Sequence, residues 1–341
     1  MTTPSQPSPT CPRTDSGRAA STNPLLTFLQ QLQGTALKTL GPKNLDPKLY
    51  VDLSLKANLS TAQDAFNKLP RANNGTVSST DLNMFMHNYL NGSGEDLVCA
   101  EPVDFSPEPE GFLPAVENPA MREWALEVHL LWRSLCRRFA EGVSESSEKY
   151  TLIALPQSHP VMIPGSRGLL ASKMYETAKG IVGNLVSLID EFGFVLNGAR
   201  TYYTNRSQPP LLSSMVYDIY IRTCDMELVK KSLPALLKEH NFWNSGVHSV
   251  AIRDAQGHSH TLSRYYAMWN EPRPESSTID RVTASKLIND SEKQHLYREL
   301  ASACESGWDF STRWMRNASD LTTLATTSII PVDLNSFILK V

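Results

Sequence analysis

The feature that most constrains the fold is a series of apolar stripes with helical spacing, separated by loops of very unequal length. Apolar residues recur at intervals of three and four, which is the period of an amphipathic α-helix. The strongest stripes cover residues 25–34, 118–142, 170–192, 211–222, 227–243 and 291–305. Stripes of this kind usually face a protein core. The sequence therefore predicts a mainly α protein built from successive antiparallel helices.

Start and stop signals set the expected ends of these helices. Gly34 and Gly193 are predicted to end the first and third long helices, and Pro234 is predicted to break the helix over 227–243. Asn118 and Pro119 open a helix that is predicted to end near Gly142. Its stripe, which is predicted to be buried, consists of Trp124, Val128, Leu131, Leu135 and Phe139.

One segment carries a convincing β signal. Residues 249–252 and 260–263 are rich in β-forming residues and flank a turn around Asp254 to Gly257, which predicts a single exposed hairpin. The last element, 332–341, reads as an apolar helix with Asp333 near its start.

Charge and cysteine usage exclude several classes of partner. The chain has 32 basic and 35 acidic residues, so no broad field directs it to nucleic acid or to an anionic membrane. A small molecule or a protein is the expected partner. Five cysteines without a CxxC spacing predict free thiols rather than a disulfide framework or a zinc site.

Residues 1–23 form a Ser/Thr/Pro-rich tail that is predicted to be disordered, because it has almost no large apolar side chains to bury. The tail has no apolar core of a secretory signal, and the chain has no run of roughly 18 apolar residues that would span a bilayer. Its localisation is therefore expected to be cytoplasmic by default.

Four short polar blocks between the helices are the candidate functional loops. They cover residues 197–200, 206–210, 273–276 and 305–310. Arginine, Asn and Gln side chains offer directional donors, and neighbouring aromatic rings offer flat apolar surfaces. This combination suits a neutral, polyhydroxylated ligand better than a phosphate or a nucleic acid.

Each of these residues also has a simpler interpretation. Arg206 and Arg273 would serve equally well in structural salt bridges, and Asp309 alone would be an ordinary surface or helix-end carboxylate. Glu275 and Glu305 would each be solvated charges. The histidines have no metal-ligand spacing, and those in the hairpin, His258 and His260, are expected to be exposed.

Taken together and in order, the blocks resemble the α,α-trehalases of glycoside hydrolase family 37. The wording of residues 164–167, 199–210 and 331–335 is similar to the plant branch, and the resemblance covers residues 24–341. It implies an incomplete (α/α)6 barrel with one β-hairpin, preceded by an N-terminal helical surround over 24–117 and starting at residue 118. It also implies hydrolysis of trehalose to two glucose molecules with inversion, without a cofactor or a metal.

The resemblance assigns roles residue by residue. Asp309 matches the general acid, whose pKa flanking Trp308 and Phe310 would raise by desolvation. The matched substrate-binding positions are Arg167, Asn197, Arg206, Ser207, Gln208, Arg273, Pro274, Glu275 and Gly307.

Two departures from the family pattern lead to an alternative hypothesis. After Arg167 the family has an aromatic run, whereas this chain continues with residues 168–171, Gly-Leu-Leu-Ala. The family's catalytic base belongs to a part of the barrel that this chain does not contain. The alternative is therefore a splice-derived or gene-model product: an inactive trehalase-like protein that binds sugar or a partner chain, with self-association through an exposed barrel edge.

Overall fold

A computed structural model describes residues 23–111, 116–156 and 166–340, so the predicted tail over 1–23 lies almost entirely outside the described residues. The described chain is mainly helical, as predicted. Its α-helices are α1 (Pro24–Leu40), α2 (Pro47–Val51), α3 (Leu59–Asn67), α4 (Ser79–Tyr89), α5 (Pro119–Leu135), α6 (Ser166–Ala171), α7 (Tyr175–Phe192), α8 (Leu212–Thr223), α9 (Met226–Trp243), α10 (Ser277–Ala284), α11 (Asp290–Glu305) and α12 (Val332–Leu339).

The strands form small antiparallel pairs. The pairs are β1 (Ser54–Leu55) with β2 (Leu90–Asn91), β3 (Leu97–Cys99) with β4 (Arg137–Phe139), and β5 (Ser249–Arg253) with β6 (Ser259–Ser263). The predicted hairpin, β5 and β6, is confirmed. The other two pairs were missed, because strands of two or three residues are too short to show an alternating pattern.

Gly34 does not end α1, so that prediction was wrong. The helix continues to Leu40 and stops at Gly41, whose φ of 78° is the left-handed backbone that glycine tolerates. A glycine inside a helix costs only about 1 kcal/mol, whereas Phe28, Leu29 and Leu32 are completely buried along the same helix. Packing outweighs the local signal.

Pro234 does not break α9 either. The helix runs without interruption from Met226 to Trp243, with Pro234 inside it. Pro234 is exposed, whereas Ala235, Glu239 and Trp243 are buried on the packed face. Because the residue without a backbone N–H lies on the solvent side, water is available to the carbonyl that lost its partner.

The predicted helix over 170–192 is divided in two. Lys173 has a φ of 63° and separates α6 from α7, while Gly193 ends α7 as predicted, with a φ of 92°. Both parts contribute to one buried cluster, α6 through Leu169 and Leu170 and α7 through residues such as Ala178 and Val182.

The apolar stripe of α5 is exposed, contrary to prediction, and the helix ends at Leu135 rather than near Gly142. Trp124, Val128, Leu131 and Leu135 are between 44% and 64% exposed. The opposite face is attached by polar contacts. There His129 hydrogen-bonds to the Ser172 hydroxyl and the Ser106 carbonyl.

Three separate hydrophobic clusters form the main core of the described residues. One cluster joins α1 to α4, another joins α7, α8 and α9, and a third centres on Trp243, Trp314 and α11. Side-by-side packing of consecutive antiparallel helices, with one hairpin, is consistent with part of an α/α toroid. Division of the chain at residue 118 stays a prediction. Among the described residues, no helix is both long and apolar enough to cross a bilayer.

Candidate active site

Three loops, each adjoining one end of a helix, contact one another in the described structure. The first follows α7, the second precedes α10, and the third follows α11; they cover residues 193–211, 264–276 and 306–311. They contain the candidate residues of the sequence analysis except Arg167. Their contacts with one another are made by buried charged groups.

Arg206 is almost completely buried, at 1% exposed. Its guanidinium donates two hydrogen bonds to the carboxylate of Glu275, at 2.6 and 3.0 Å, and a third to the Tyr202 carbonyl. Although burial by itself raises the pKa of Glu275, the charge and hydrogen bonds of Arg206 hold it below its ordinary value. Glu275 is therefore an ionised partner and not a solvated charge.

Arg273 is fixed in the same way by Asp280, the second carboxylate of the cluster. Its Nε and Nη2 atoms donate to Asp280 at 2.9 and 2.6 Å, and its backbone N–H donates to the same carboxylate. Nη1 donates to Cys304 Sγ at 2.8 Å, and the ring of Phe310 lies 5.0 Å from the guanidinium. Both arginines thus form buried salt bridges, and their roles in substrate binding stay predictions.

Glu305, the last residue of α11, is also buried, at 1% exposed, and not solvated. Its carboxylate accepts hydrogen bonds from the backbone N–H and hydroxyl of Ser207, at 2.9 and 2.8 Å, and from the N–H of Tyr266 at 2.8 Å. Burial raises the pKa of Glu305 to about 7. The side chain joins the first loop, the second loop and the end of α11.

Asn197 and Gln208 connect the first loop internally and to α11. The Asn197 side chain donates to the Cys304 carbonyl at 2.9 Å and to the Ser207 carbonyl at 3.3 Å. Gln208 donates from its side chain to the Asn197 carbonyl at 3.1 Å. Both residues remain partly exposed, whereas Ser207 is completely buried.

Asp309 lies on an exposed turn beside the cluster. The backbone has a positive φ at Gly307, 68°, and at Phe310, 55°, so the turn on which Asp309 stands is bounded by two left-handed residues. Trp308 is 55% exposed and Asp309 is exposed too. The desolvating enclosure expected from Trp308 and Phe310 is therefore not formed.

The buried thiol of Cys304 contacts Arg273, and the charged groups near it influence its pKa. Burial is the main reason why the pKa of Cys304 rises to about 12, and the charges of Arg273 and Arg206 oppose that rise. The carboxylates of Asp309 and Glu275 reinforce it. All four side chains thus lie within electrostatic range of one sulfur atom.

Arg167 does not join this cluster. It lies on α6 with its side chain 73% exposed, and it forms an ion pair with Asp218 of α8 at 2.7 Å. That hydrogen bond raises the pKa of Arg167.

Pro274 is buried in a short 3-10 helix, where its carbonyl accepts a hydrogen bond from Gln33 of α1 at 2.8 Å.

Sequence reasoning missed Asp280 and Cys304 and misjudged Glu305. The only available signal was position: Asp280 follows Arg273 by seven residues, and Cys304 and Glu305 end a helix just before a polar block. Neither position reveals burial.

A cavity of about 800 Å³ lies elsewhere, against residues such as Tyr150, Leu152 and Phe192, and none of the candidate residues lines it.

The remaining sequence expectations concern metals and thiols. Within the described ranges, no group of three or more His, Cys, Asp or Glu side chains is arranged to hold a metal ion. The four cysteines described are free, Cys136 and Cys304 being buried and Cys99 and Cys224 exposed. His258 and His260 are exposed in the hairpin and contact the Asp254 carboxylate.

Comparison with known proteins gives consistent relatives. The family profile described as Trehalase matches residues 42–341. The chain is 54% identical to a trehalase of Arabidopsis thaliana over 96% of its own length and 55% of the relative's. It is 53% identical to a probable trehalase of Oryza sativa subsp. japonica, covering 95% of the chain and 59% of the relative.

More distant relatives are similar in the same way. A trehalase of Oryctolagus cuniculus is 34% identical over 86% of the chain and 53% of the relative. Among solved structures, neutral trehalase Nth1 from Saccharomyces cerevisiae aligns with a TM-score of 0.41 and 22% identity, covering 66% of the chain and 50% of the yeast chain. The chain spans about half the length of the curated relatives it matches.

Proposed function

The chain belongs to the trehalase family, and from this premise we propose that it hydrolyses α,α-trehalose to two glucose molecules by inverting acid/base catalysis. The observation that carries the proposal is the position of Asp309. Its carboxylate is exposed to solvent, and the ring of the next residue, Phe310, lies 5.0 Å from the guanidinium of the buried Arg273.

Asp309 is the best candidate for the general acid. An acid must reach the glycosidic oxygen and carry a proton that it can donate. Glu275 is held ionised by Arg206, and Glu305 is buried with three hydrogen bonds to the protein. Asp309 is exposed, so its carboxyl group can reach a bound substrate.

The other candidate residues divide into two roles. Arg206, Arg273, Ser207 and Pro274 are buried, so we propose that they support the site from beneath by fixing the loops. Asn197, Gln208, Glu275 and Gly307 are at least partly exposed and are the proposed contacts for sugar hydroxyls, beside the ring of Trp308. Arg167 is proposed as a sugar contact only on the strength of the family motif.

An inverting glycosidase also needs a second carboxylate about 6.5–9.5 Å from the acid to activate water. We assign this role to neither Glu275 nor Glu305, because both oxygens of Glu275 accept hydrogen bonds from Arg206 and the carboxylate of Glu305 is buried with three hydrogen bonds to the protein. The proposal therefore concerns the acid half of the mechanism.

The test is release of glucose from trehalose by the purified chain and by Asp309→Asn. Loss of a general acid typically lowers the rate by about 10²–10⁴-fold, and trehalose binding, measured by calorimetry, should persist in this variant. Asp290→Asn is the matched control, because Asp290 is an exposed aspartate at the other end of α11. Its turnover should equal that of the parent.

The outcomes separate the alternatives. Turnover by Asp309→Asn at the parent's rate would show that another group is the acid. Binding of trehalose without turnover by the parent chain would favour the alternative of a sugar-binding, non-catalytic family member. If the parent chain neither binds nor hydrolyses trehalose, the proposed substrate is contradicted.

A further inference from the structure

The Glu305 side chain contacts two of the candidate loops, and the third loop begins at the next residue. Ser207 is 98 residues away in sequence and Tyr266 is 39 residues away, yet both donate backbone N–H groups to its two oxygens. The Ser207 hydroxyl adds a third hydrogen bond. From Glu305 the chain passes through Ser306 and Gly307 and reaches Asp309 four residues later.

The surroundings of Glu305 require a carboxylate. Three donors converge on it, and an ionised carboxylate has enough lone pairs to accept all three, whereas the amide of glutamine has one oxygen and adds two donors of its own. No ion pair to Glu305 is found among the described residues, and burial raises its pKa to about 7. The fold thus buries a carboxyl group without an ion pair and holds it by three hydrogen bonds.

Hydrogen bonds fix the segment between Glu305 and Asp309, so the place of Asp309 depends on the place of Glu305. The Ser306 hydroxyl donates to the Ala303 carbonyl and accepts from the Trp308 N–H. Trp314 in turn donates its indole N–H to the Trp308 carbonyl at 2.9 Å. Because both sides of the turn are anchored, movement of the last residue of α11 would displace Asp309 relative to the first loop.

We propose that Glu305 is a positioning residue for the reaction, which holds the Asp309 turn in register with the Ser207 loop. This inference rests on the proposed function. Glu305 does not touch substrate; it sets the distance between the acid and the groups that hold the sugar. Misplacement of a reacting group by about 1 Å costs on the order of 10²-fold in rate.

Glu299 provides a matched control on the same helix. It is a completely buried glutamate six residues earlier in α11, and its carboxylate accepts hydrogen bonds from the backbone N–H and the hydroxyl of Thr327. The two glutamates therefore have similar burial and both accept a backbone N–H and a hydroxyl, although Glu299 also lies 3.5 Å from the His295 ring nitrogen. Only Glu305 is connected to the candidate loops.

The experiment compares trehalose hydrolysis by the parent chain, Glu305→Gln and Glu299→Gln, with thermal unfolding of each. We expect Glu305→Gln to lose about 10²-fold in kcat while KM stays within about threefold, since binding groups remain and the acid is displaced. Glu299→Gln should retain the parent's kcat even though its unfolding temperature falls by a similar amount.

Equal kcat values for Glu305→Gln and Glu299→Gln would overturn the inference and leave the proposed function intact. No turnover by the parent chain would overturn the proposed function and the inference with it. If Glu305→Gln does not fold, Ser207→Ala replaces it, with Thr327→Val as its match. A lower kcat in Ser207→Ala alone supports the inference, and unchanged kcat in both overturns it.

Discussion

At the scale of single residues, the surroundings of each carboxylate decide its charge. Glu275 faces the Arg206 guanidinium, and its pKa stays below the ordinary value in spite of burial. Glu239 of α9 is also buried, at 2% exposed, but no cation among the described residues faces it, and burial raises its pKa to about 7. One of its oxygens has no hydrogen-bond partner among the described residues. Glu239 should therefore weaken the fold when it ionises.

The stability of Glu239→Gln gives a pH-dependent prediction. The folded state binds this proton more tightly than the unfolded state, in which the pKa is near 4.5, so the free energy of unfolding falls as pH rises from 4.5 to about 7. A shift of this size corresponds to about 3 kcal/mol at most. Glutamine has no charge to bury, so the variant should be more stable than the parent at pH 8 and nearly equal at pH 5.

Urea denaturation at pH 5 and pH 8 measures this difference. Glu227→Gln is the control, because Glu227 is an exposed glutamate of the same helix and should change little at either pH. The same stability difference for Glu239→Gln at both pH values would show that its ionisation does not matter.

At the scale of elements, α9 and α1 show how packing overrides local signals. Both helices continue through a residue that was expected to stop them, Pro234 and Gly34. In each helix the opposite face carries completely or nearly completely buried side chains, such as Trp243 in α9 and Phe28 in α1. The unfavourable local terms persist, however, and can be removed by substitution.

Pro234→Ala should stabilise α9. Pro234 is exposed, so its ring contributes little packing, and alanine restores an N–H that can donate to the Lys230 carbonyl. The expected gain in the free energy of unfolding is on the order of 1–3 kcal/mol, measured by denaturant titration. Leu237→Ala, an exposed position one turn later, should change stability by less than about 0.5 kcal/mol. A less stable Pro234→Ala would mean that proline's restriction of the unfolded chain dominates.

At the scale of the whole molecule, α5 is notable because the apolar face of this helix is exposed to solvent. Its apolar stripe faces solvent, and polar contacts of His129 and Trp132 with Ser172 attach its other face. Large exposed apolar patches usually mark a surface that another chain or segment covers. The self-association through an exposed barrel edge that the sequence predicts stays a prediction, and α5 offers an exposed apolar surface on which it can be tested.

Sedimentation velocity at increasing protein concentration tests this prediction. The weight-average mass of the parent should rise with concentration, because association buries the α5 stripe, and Trp124→Glu with Leu131→Glu should reduce that rise. Leu237→Glu, which alters a comparably exposed leucine of α9, should not. An unchanged rise in the α5 variant would place the association elsewhere, and a monomer at every concentration would exclude it.

The sequence by itself determined the helical class, most helix starts, the β5–β6 hairpin and the family. These follow from local signals, such as the Asn118 side chain that caps α5, and from the order of the polar blocks. It also named most of the residues that meet at the candidate site. Their mutual arrangement was not readable from the sequence.

Only the tertiary structure decided which side chains are buried and what each one contacts. Arg206 finds Glu275 across 69 residues, and Glu305 finds Ser207 across 98, so no local pattern specifies either pair. The same limit explains α5, since periodicity shows that a helix has an apolar face but not whether another element covers it. Burial and pairing depend on contacts between distant segments, and those contacts exist only once the chain has folded.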